Sequence, residues 1–252
     1  LNAYPWDETV KIMNPLSADL GVMRQTLLFG GLESIVRNIN RKAQNLRFFE
    51  VGNVYKYNKE KWTEDSPVKA YIQKHHMALW VTGKHIQGSW AHPDEESSFY
   101  ELKAYVENIL RRIGIAQGLL VYAKSDNNVF DKAIALKTRT GKTLVEMGIL
   151  AHKLLKRFNI EQKVYYAELD WTGLMKVIRK NKLQFHEISK YPAVSRDLAL
   201  LVDNNVEFAQ IEEIARQTDK KQLKRVELFD VYQGKNLPEG KKSYAVNFIL
   251  QD

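Results

Sequence analysis

The 252-residue sequence contains no cysteine. Disulfides and thiolate metal sites are therefore excluded. No apolar run approaches the roughly 18 residues that a membrane-spanning helix needs. The start, Leu1 to Thr9, is polar and aromatic, unlike a secretory leader. A cytoplasmic protein with no membrane partner is the expectation. Position 1 is not Met, so the sequence reads as a piece of a longer chain. Catalytic motifs are missing too. Gly141-Lys142-Thr143 lacks the upstream glycine of a phosphate-binding loop. No Ser-His-Asp or Cys-His order is persuasive. Of the six histidines, His75 and His76 are adjacent and point opposite ways on a strand. His85 and His92 carry no helical carboxylate-His motif, so no metal is expected. The acidic run Asp94-Glu95-Glu96 suits a helix N-terminus before Tyr100 better than a cation site.

What is present is ordinary in amount and informative in order. Hydrophobic residues make up 44% and charged residues 27%, and the length allows one or two real cores. The net charge is +8. From residue 183 onward, 10 Lys+Arg stand against 11 Asp+Glu, so the positive excess lies before that point. That excess fits either a phosphate-attracting surface or a solvated lysine-rich one.

Hydrophobic spacing predicts a strand over 9–14, ended by Pro15, and a helix over 23–44. Gly30-Gly31 inside that helix reads either as a point of close packing or as a break, with the break preferred. Strands follow over 46–57 and 76–83, with a bulge or turn at Gly52. Residues 58–67 read as a loop. An amphipathic helix spans 98–113 and stops at Gly114. Strands over 119–123, 132–138 and 143–150 come next, the last two joined by a hairpin at Thr140-Gly141-Lys142. A short helix over 151–159, a strand over 163–170 and helical turns from Trp171 to Arg179 complete the first part. Lys180-Asn181-Lys182 is an apolar-poor joint. It divides the chain into domains 1–182 and 183–252.

The tail reads as strand 195–203, helix 207–217, strand 223–232, turn 234–241 and strand 242–250. Alternation gives each strand two unlike faces. Leu198, Leu200 and Val202 oppose Asp197, Ala199 and Leu201. Tyr244, Val246 and Phe248 oppose Ser243, Ala245 and Asn247. Phe229 and Val231, read as core, oppose Leu228, Asp230 and Tyr232. An open face carrying Ala, Asp, Tyr, Ser and Asn can serve as a platform for an unstacked base.

The segments Tyr191-Pro192-Ala193-Val194-Ser195-Arg196-Asp197-Leu198, Leu228-Phe229-Asp230-Val231-Tyr232-Gln233-Gly234 and Lys241-Lys242-Ser243-Tyr244-Ala245 occur in that order. They resemble the ferredoxin-fold anticodon-binding domain of bacterial phenylalanyl-tRNA synthetase beta subunits. Asn14-Pro15-Leu16-Ser17, Met23-Arg24-Gln25-Thr26-Leu27, Phe49-Glu50-Val51-Gly52 and Glu101-Leu102-Lys103 resemble segments of the same family. The resemblance implies an α+β chain with a class II synthetase-like antiparallel sheet over 1–182. A partial ferredoxin-like βαββ unit follows, whose last helix and strand lie beyond Asp252.

The resemblance also implies a division of labour. Active class II synthetases carry an RxE-like strand motif and a late GxGxxR motif. Arg47-Phe48-Phe49-Glu50 has the wrong spacing, because residues i and i+3 of a strand face opposite ways. Trp171-Thr172-Gly173-Leu174-Met175 stands near the place of the second motif. The segment therefore resembles the non-catalytic copy, with no catalytic residues of its own. ATP and magnesium would serve the whole ligase and not this segment. Its implied partners are a catalytic alpha subunit, in an assembly of two alpha and two beta chains, and phenylalanine tRNA. Leu27, Leu28, Leu32 and Ile35 are the implied subunit-interface residues, only partly covered in the isolated chain. Ala199, Asp230, Tyr232 and Ser243 are the implied anticodon-reading residues, with Arg196 as a backbone contact. Lys242, on the core side by alternation, is a weaker one. Tyr232 has packing against the chain itself as its alternative role. A free-standing RNA-binding or regulatory module is the alternative function.

Overall fold

The computed structural model describes residues 3–17, 20–115, 118–179 and 189–252. The chain divides into two compact units, Leu1–Leu183 and Gln184–Asp252. The joint expected at Lys180-Asn181-Lys182 lies outside the described residues.

Unit 1 is built on six antiparallel strands in the order β1-β2-β8-β7-β6-β5. These are β1 (Leu46–Tyr57), β2 (Tyr71–Thr82), β5 (Val121–Lys124), β6 (Phe130–Lys137), β7 (Thr143–Leu150) and β8 (Val164–Asp170). A small hairpin of β3 (Lys84–Ile86) and β4 (Glu95–Glu96) leaves the end of β2. Four helices pack on the sheet: α1 (Leu28–Asn40), α2 (Phe99–Arg112), α3 (His152–Arg157) and α4 (Trp171–Ile178).

Both faces of the central strands are apolar, so both are covered. Ala78 and Trp80 of β2, with Val164 and Tyr166 of β8, face Leu28, Leu32 and Ile35 of α1 and Leu154 and Leu155 of α3. Their neighbours Leu79, Val81, Tyr165, Ala167 and Leu169 face the other way. There they meet Leu102, Val106 and Leu110 of α2 and Leu174 of α4. Helix starts follow local chemistry. The Ser98 hydroxyl accepts from the Glu101 amide at the start of α2, and the Asp170 carboxylate accepts from the Gly173 amide at the start of α4.

Several expectations are corrected here. The strand expected over 9–14 is only a short ladder: Ile12 N donates to Gly21 O at 2.9 Å and Met23 N to Val10 O at 2.8 Å. The helix expected from residue 23 starts at Leu28, because Arg24 is tied to the edge of β1 instead. Tyr55 N donates to Arg24 O, and Arg24 Nε donates to Asn53 O, both at 2.8 Å. The break preferred at Gly30-Gly31 is absent, and α1 runs through it. Gly31 lies against the Trp80 indole so closely that a Cβ would come within 2.1 Å of the ring. Close packing is why glycine stands there. The acidic run does not begin a helix. Glu95 and Glu96 pair with β3, and Asp94 binds Lys84 at 2.6 Å.

The largest correction concerns Leu27, Leu28, Leu32 and Ile35. All four are 0% exposed, where partial exposure for a partner was expected. Their stripe is spent on this chain's own sheet, against Trp80 and Tyr166. They are core residues.

Unit 2 contains β9 (Val194–Asp203), α5 (Phe208–Thr218), β10 (Leu223–Tyr232) and β11 (Lys241–Leu250). The antiparallel strand order is β10-β11-β9. Val226, Tyr244 and Val246 form its buried centre, against Phe208, Ile211 and Ala215 of α5. Glu207 and Gln210 close a reciprocal capping box at the start of α5.

Candidate nucleic-acid interface

Strand register decides which side chains of unit 2 share a face. Residues directly opposite in an antiparallel pair project to the same side. Lys242, Tyr244, Val246 and Phe248 of β11 define the helix-covered side. Ser243, Ala245, Asn247 and Ile249 define the open side.

Two rows cross the open side. Tyr232 pairs with Ser243, which pairs with Leu201. Asp230 pairs with Ala245, which pairs with Ala199. The four residues Ala199, Asp230, Tyr232 and Ser243 therefore form one contiguous patch. The next row holds Glu227, Asn247 and Asp197. The Asn247 amide donates to Asp197 and to the Ser195 hydroxyl, which fixes this end of the face. With Asp197, Asp203, Glu227 and Asp230 against Arg225 and Lys241, the paired positions of the open side carry more acid than base.

Arg196 does not join this patch. It pairs with Phe248 and so projects to the helix side. Lys242 also lies on that side, as alternation indicated. It is 8% exposed, donates from Nζ to Asn204 O at 2.9 Å, and sits 4.7 Å from the Tyr244 ring centroid.

Phe229 overturns its expected core position. It is 61% exposed and has no partner in the ladder, because the register shifts between Leu228 and Asp230. Leu228 pairs with Val246 and packs in the core, where it was expected on the open face. An extra residue changes the alternation of β10, so Leu228 and Asp230 end on opposite sides.

Tyr232 is 43% exposed, and its hydroxyl reaches back over Gly234. A Cβ on Gly234 would lie 2.6 Å from that oxygen. The ring is thus positioned by backbone that only glycine leaves open.

Arg47, from the segment whose spacing departs from the RxE-like motif, is committed within unit 1. Arg47 donates from Nε to Glu101 Oε1 at 2.9 Å and from Nη2 to Oε2 at 3.3 Å. It also donates to Lys84 O at 2.8 Å and to the Ser97 hydroxyl at 2.9 Å. It therefore ties β1 to α2 and to the base of the β3–β4 hairpin. Glu50 faces the opposite way and pairs with Arg24. The two side chains cannot hold one ligand.

On the α1 side of the sheet, Glu168 gathers a polar cluster. It accepts from the Thr26 hydroxyl and the Tyr166 hydroxyl, both at 2.6 Å, and meets His76 Nδ1 at 2.7 Å. Burial and the nearby Glu168 charge push the Tyr4 and Tyr166 phenols up, so both stay neutral. His85 Nδ1 contacts Glu101 at 3.0 Å. Among the described residues no three His, Asp or Glu side chains converge as a metal site.

An apolar surface that the spacing of α1 did not reveal lies in the loop before it. Met13 is 92% and Leu16 97% exposed. Leu16, with Ile12, Leu20, Val22 and Tyr55, lines a groove of about 670 Å³ beside β1. The only sequence signal was the cluster of large apolar residues in a loop.

Comparison with known proteins matches both units. The model of the phenylalanyl tRNA synthetase beta chain CLM domain matches residues 1–171. The ferredoxin-fold anticodon binding domain model matches residues 189–252. The phenylalanine–tRNA ligase beta subunit of Bacteroides thetaiotaomicron is 56% identical over 252 residues, 100% of this chain and 31% of that relative. The same subunit of Porphyromonas gingivalis is 48% identical over 252 residues, with the same coverage. That of Fusobacterium nucleatum is 32% identical over 249 residues, 98% of this chain and 30% of the relative. The chain thus spans about a third of the length of these curated relatives. A solved pyrrolysyl-tRNA synthetase from Desulfitobacterium hafniense aligns over 68% of this chain and 53% of its own, at 11% identity and a TM-score of 0.47. With a family model matching most of its length, the chain belongs to the phenylalanyl-tRNA synthetase beta chain family.

Proposed function

We propose that this chain supplies two non-catalytic parts of a phenylalanine–tRNA ligase: a support for the catalytic alpha subunit and a face that reads the tRNA anticodon. The whole enzyme, with two alpha and two beta chains, joins phenylalanine to its tRNA in the cytoplasm, using ATP and magnesium. The observation that carries the reading is the patch of Ala199, Asp230, Tyr232 and Ser243 on one open sheet face. Each residue type suits an unstacked base. The Tyr232 ring offers a stacking surface. The Asp230 carboxylate accepts from the N–H donors of a guanine Watson–Crick edge. Ala199 leaves room for the base, and the Ser243 hydroxyl bonds base or sugar. The acidic surroundings repel phosphate, which favours contact through bases over contact through the backbone.

The commitment of Arg47 to Glu101, Ser97 and Lys84 supports a unit 1 without nucleotide chemistry. Support for the alpha subunit is assigned to the exposed loop residues Met13 and Leu16 and to the groove that Leu16 lines, since exposed apolar patches of this kind mark partner contacts. The test is aminoacylation by the complete enzyme. Substitution of Asp230 by Ala is expected to raise KM for tRNA and leave ATP–pyrophosphate exchange intact. Unchanged tRNA kinetics would remove the reading role. Saturable, magnesium-dependent ATP binding by this chain would remove the non-catalytic one.

A further inference from the structure

Phe229 is the one large aromatic side chain of this strand that neither the core of unit 2 nor the proposed patch employs. Val226 and Leu228 pack on the helix side of β10. Strand alternation therefore sends Glu227 and Phe229 to the open side. Past the register shift, Asp230 pairs with Ala245 and Tyr232 with Ser243, both open-side residues. The bulge thus sets Phe229 and Asp230 side by side on the same face. Phe229 is 61% exposed and open to a ligand.

We infer that Phe229 is a second stacking platform on this face, for a base neighbouring the one that Tyr232 holds. The inference rests on the base-reading role proposed above. Three residues of strand separate Phe229 from Tyr232, about 10 Å at the usual rise. That distance suits two different bases of an unstacked strand, with the Asp230 carboxylate between them. Phe229 bears no hydrogen-bonding group, so it holds its base by ring contact alone and leaves base identity to Asp230. The nearby acids Glu227 and Asp230 turn phosphate away from the ring. The extra residue therefore re-aims one side chain and widens the reading surface, a known use of bulges beside binding sites.

The experiment uses the whole beta chain in complex with its alpha partner and full-length phenylalanine tRNA. Phe229→Ala is expected to weaken tRNA binding by about five- to one-hundred-fold, as loss of one base–aromatic stack does. KM for tRNA rises, while kcat at saturating tRNA and the melting temperature stay near wild type. Phe229→Trp restores binding, because a larger ring stacks as well. The dependence of binding on salt keeps its slope, since no phosphate contact is lost. If Phe229→Ala binds normally while Tyr232→Ala does not, Phe229 has no stacking role and the base-reading face stands without it. If neither variant weakens binding, the face itself is misassigned and this inference falls with it. If Phe229→Ala melts early and Phe229→Trp fails to restore tRNA binding, the residue is structural and the inference is overturned.

Discussion

Glu168 of β8 and His76 of β2 meet diagonally across neighbouring strands, with the imidazole Nδ1 2.7 Å from the carboxylate. The same carboxylate holds the Thr26 hydroxyl at 2.6 Å and reaches the Leu27 amide at 3.4 Å. The N-cap residue Leu27 offers no side-chain bond, and the Thr26 hydroxyl accepts from the Leu28 amide at 3.1 Å. A sheet residue supplies the negative group that the helix N-terminus favours.

Acid sensitivity follows. Burial pushes the Glu168 carboxyl up, but the bonds from His76, Thr26 and Tyr166 outweigh it and hold it below the ordinary 4.5. A carboxyl lowered on folding contributes stability above its unfolded pKa and loses it as pH falls through the folded value. Unit 1 is expected to weaken below about pH 4.5, and Glu168→Gln to cost about 3 kcal/mol near neutrality. Denaturant titrations between pH 3 and 7, a window set around the carboxylate range, check both. An acid-side slope that survives Glu168→Gln would assign it to another group.

On the open face of unit 2, Tyr232→Ala is expected to reduce tRNA affinity by about 1–3 kcal/mol with little change in melting temperature. Gly234→Ala provides an independent approach, because its Cβ would displace the Tyr232 hydroxyl. It is expected to raise KM for tRNA by moving the Tyr232 ring while leaving the residues of the patch unaltered. Early melting of Tyr232→Ala with normal tRNA charging would make Tyr232 a packing residue.

The corrected interface is separable from the core. Leu32→Ala is expected to destabilise unit 1 by about 2–5 kcal/mol, as a cavity in a packed core does. Met13→Asp and Leu16→Asp are expected to leave the melting temperature unchanged and weaken assembly with the alpha subunit. Size-exclusion chromatography of mixed subunits reads the second effect. Assembly at wild-type strength by the doubly substituted chain would exclude this loop as the contact.

Gly31→Ala is expected to destabilise unit 1 by about 1–3 kcal/mol, although alanine is the better helix former. Its added methyl would overlap the Trp80 ring. Gly30→Ala, whose Cβ meets only a Glu50 oxygen at 4.0 Å, is expected to be neutral or stabilising. Thermal melts of the two variants give the contrast directly.

Periodicity made most elements legible. The long strands and α2 are marked by spacing that few alternatives fit. Three things escaped it. Alternation in β10 looked continuous, but one extra residue at Phe229 moved Leu228 inside and Phe229 out; nothing in the order Leu228-Phe229-Asp230 marks a bulge. The stripe Leu28, Leu32, Ile35 reads the same whether it faces a partner or its own sheet, since apolar spacing names a buried face and not its cover. Gly31 was ambiguous because its reason, the Trp80 ring, lies 49 positions away in sequence. That Ala199, Asp230, Tyr232 and Ser243 share a face was legible, because Asp230 and Tyr232 both lie past the shift and keep their spacing of two; their anticodon-reading role came from the resemblance alone.

The four bonds of Arg47 make it a structural junction. Glu101 is only 8% exposed and depends on that guanidinium. Any change that frees Arg47 to hold a ligand leaves Glu101 to His85 and Tyr105 alone and unpins the hairpin base at Lys84 and Ser97 together. At this position one guanidinium joins three separate segments of the sequence, so its loss would register as a loosening of strand, helix and hairpin together.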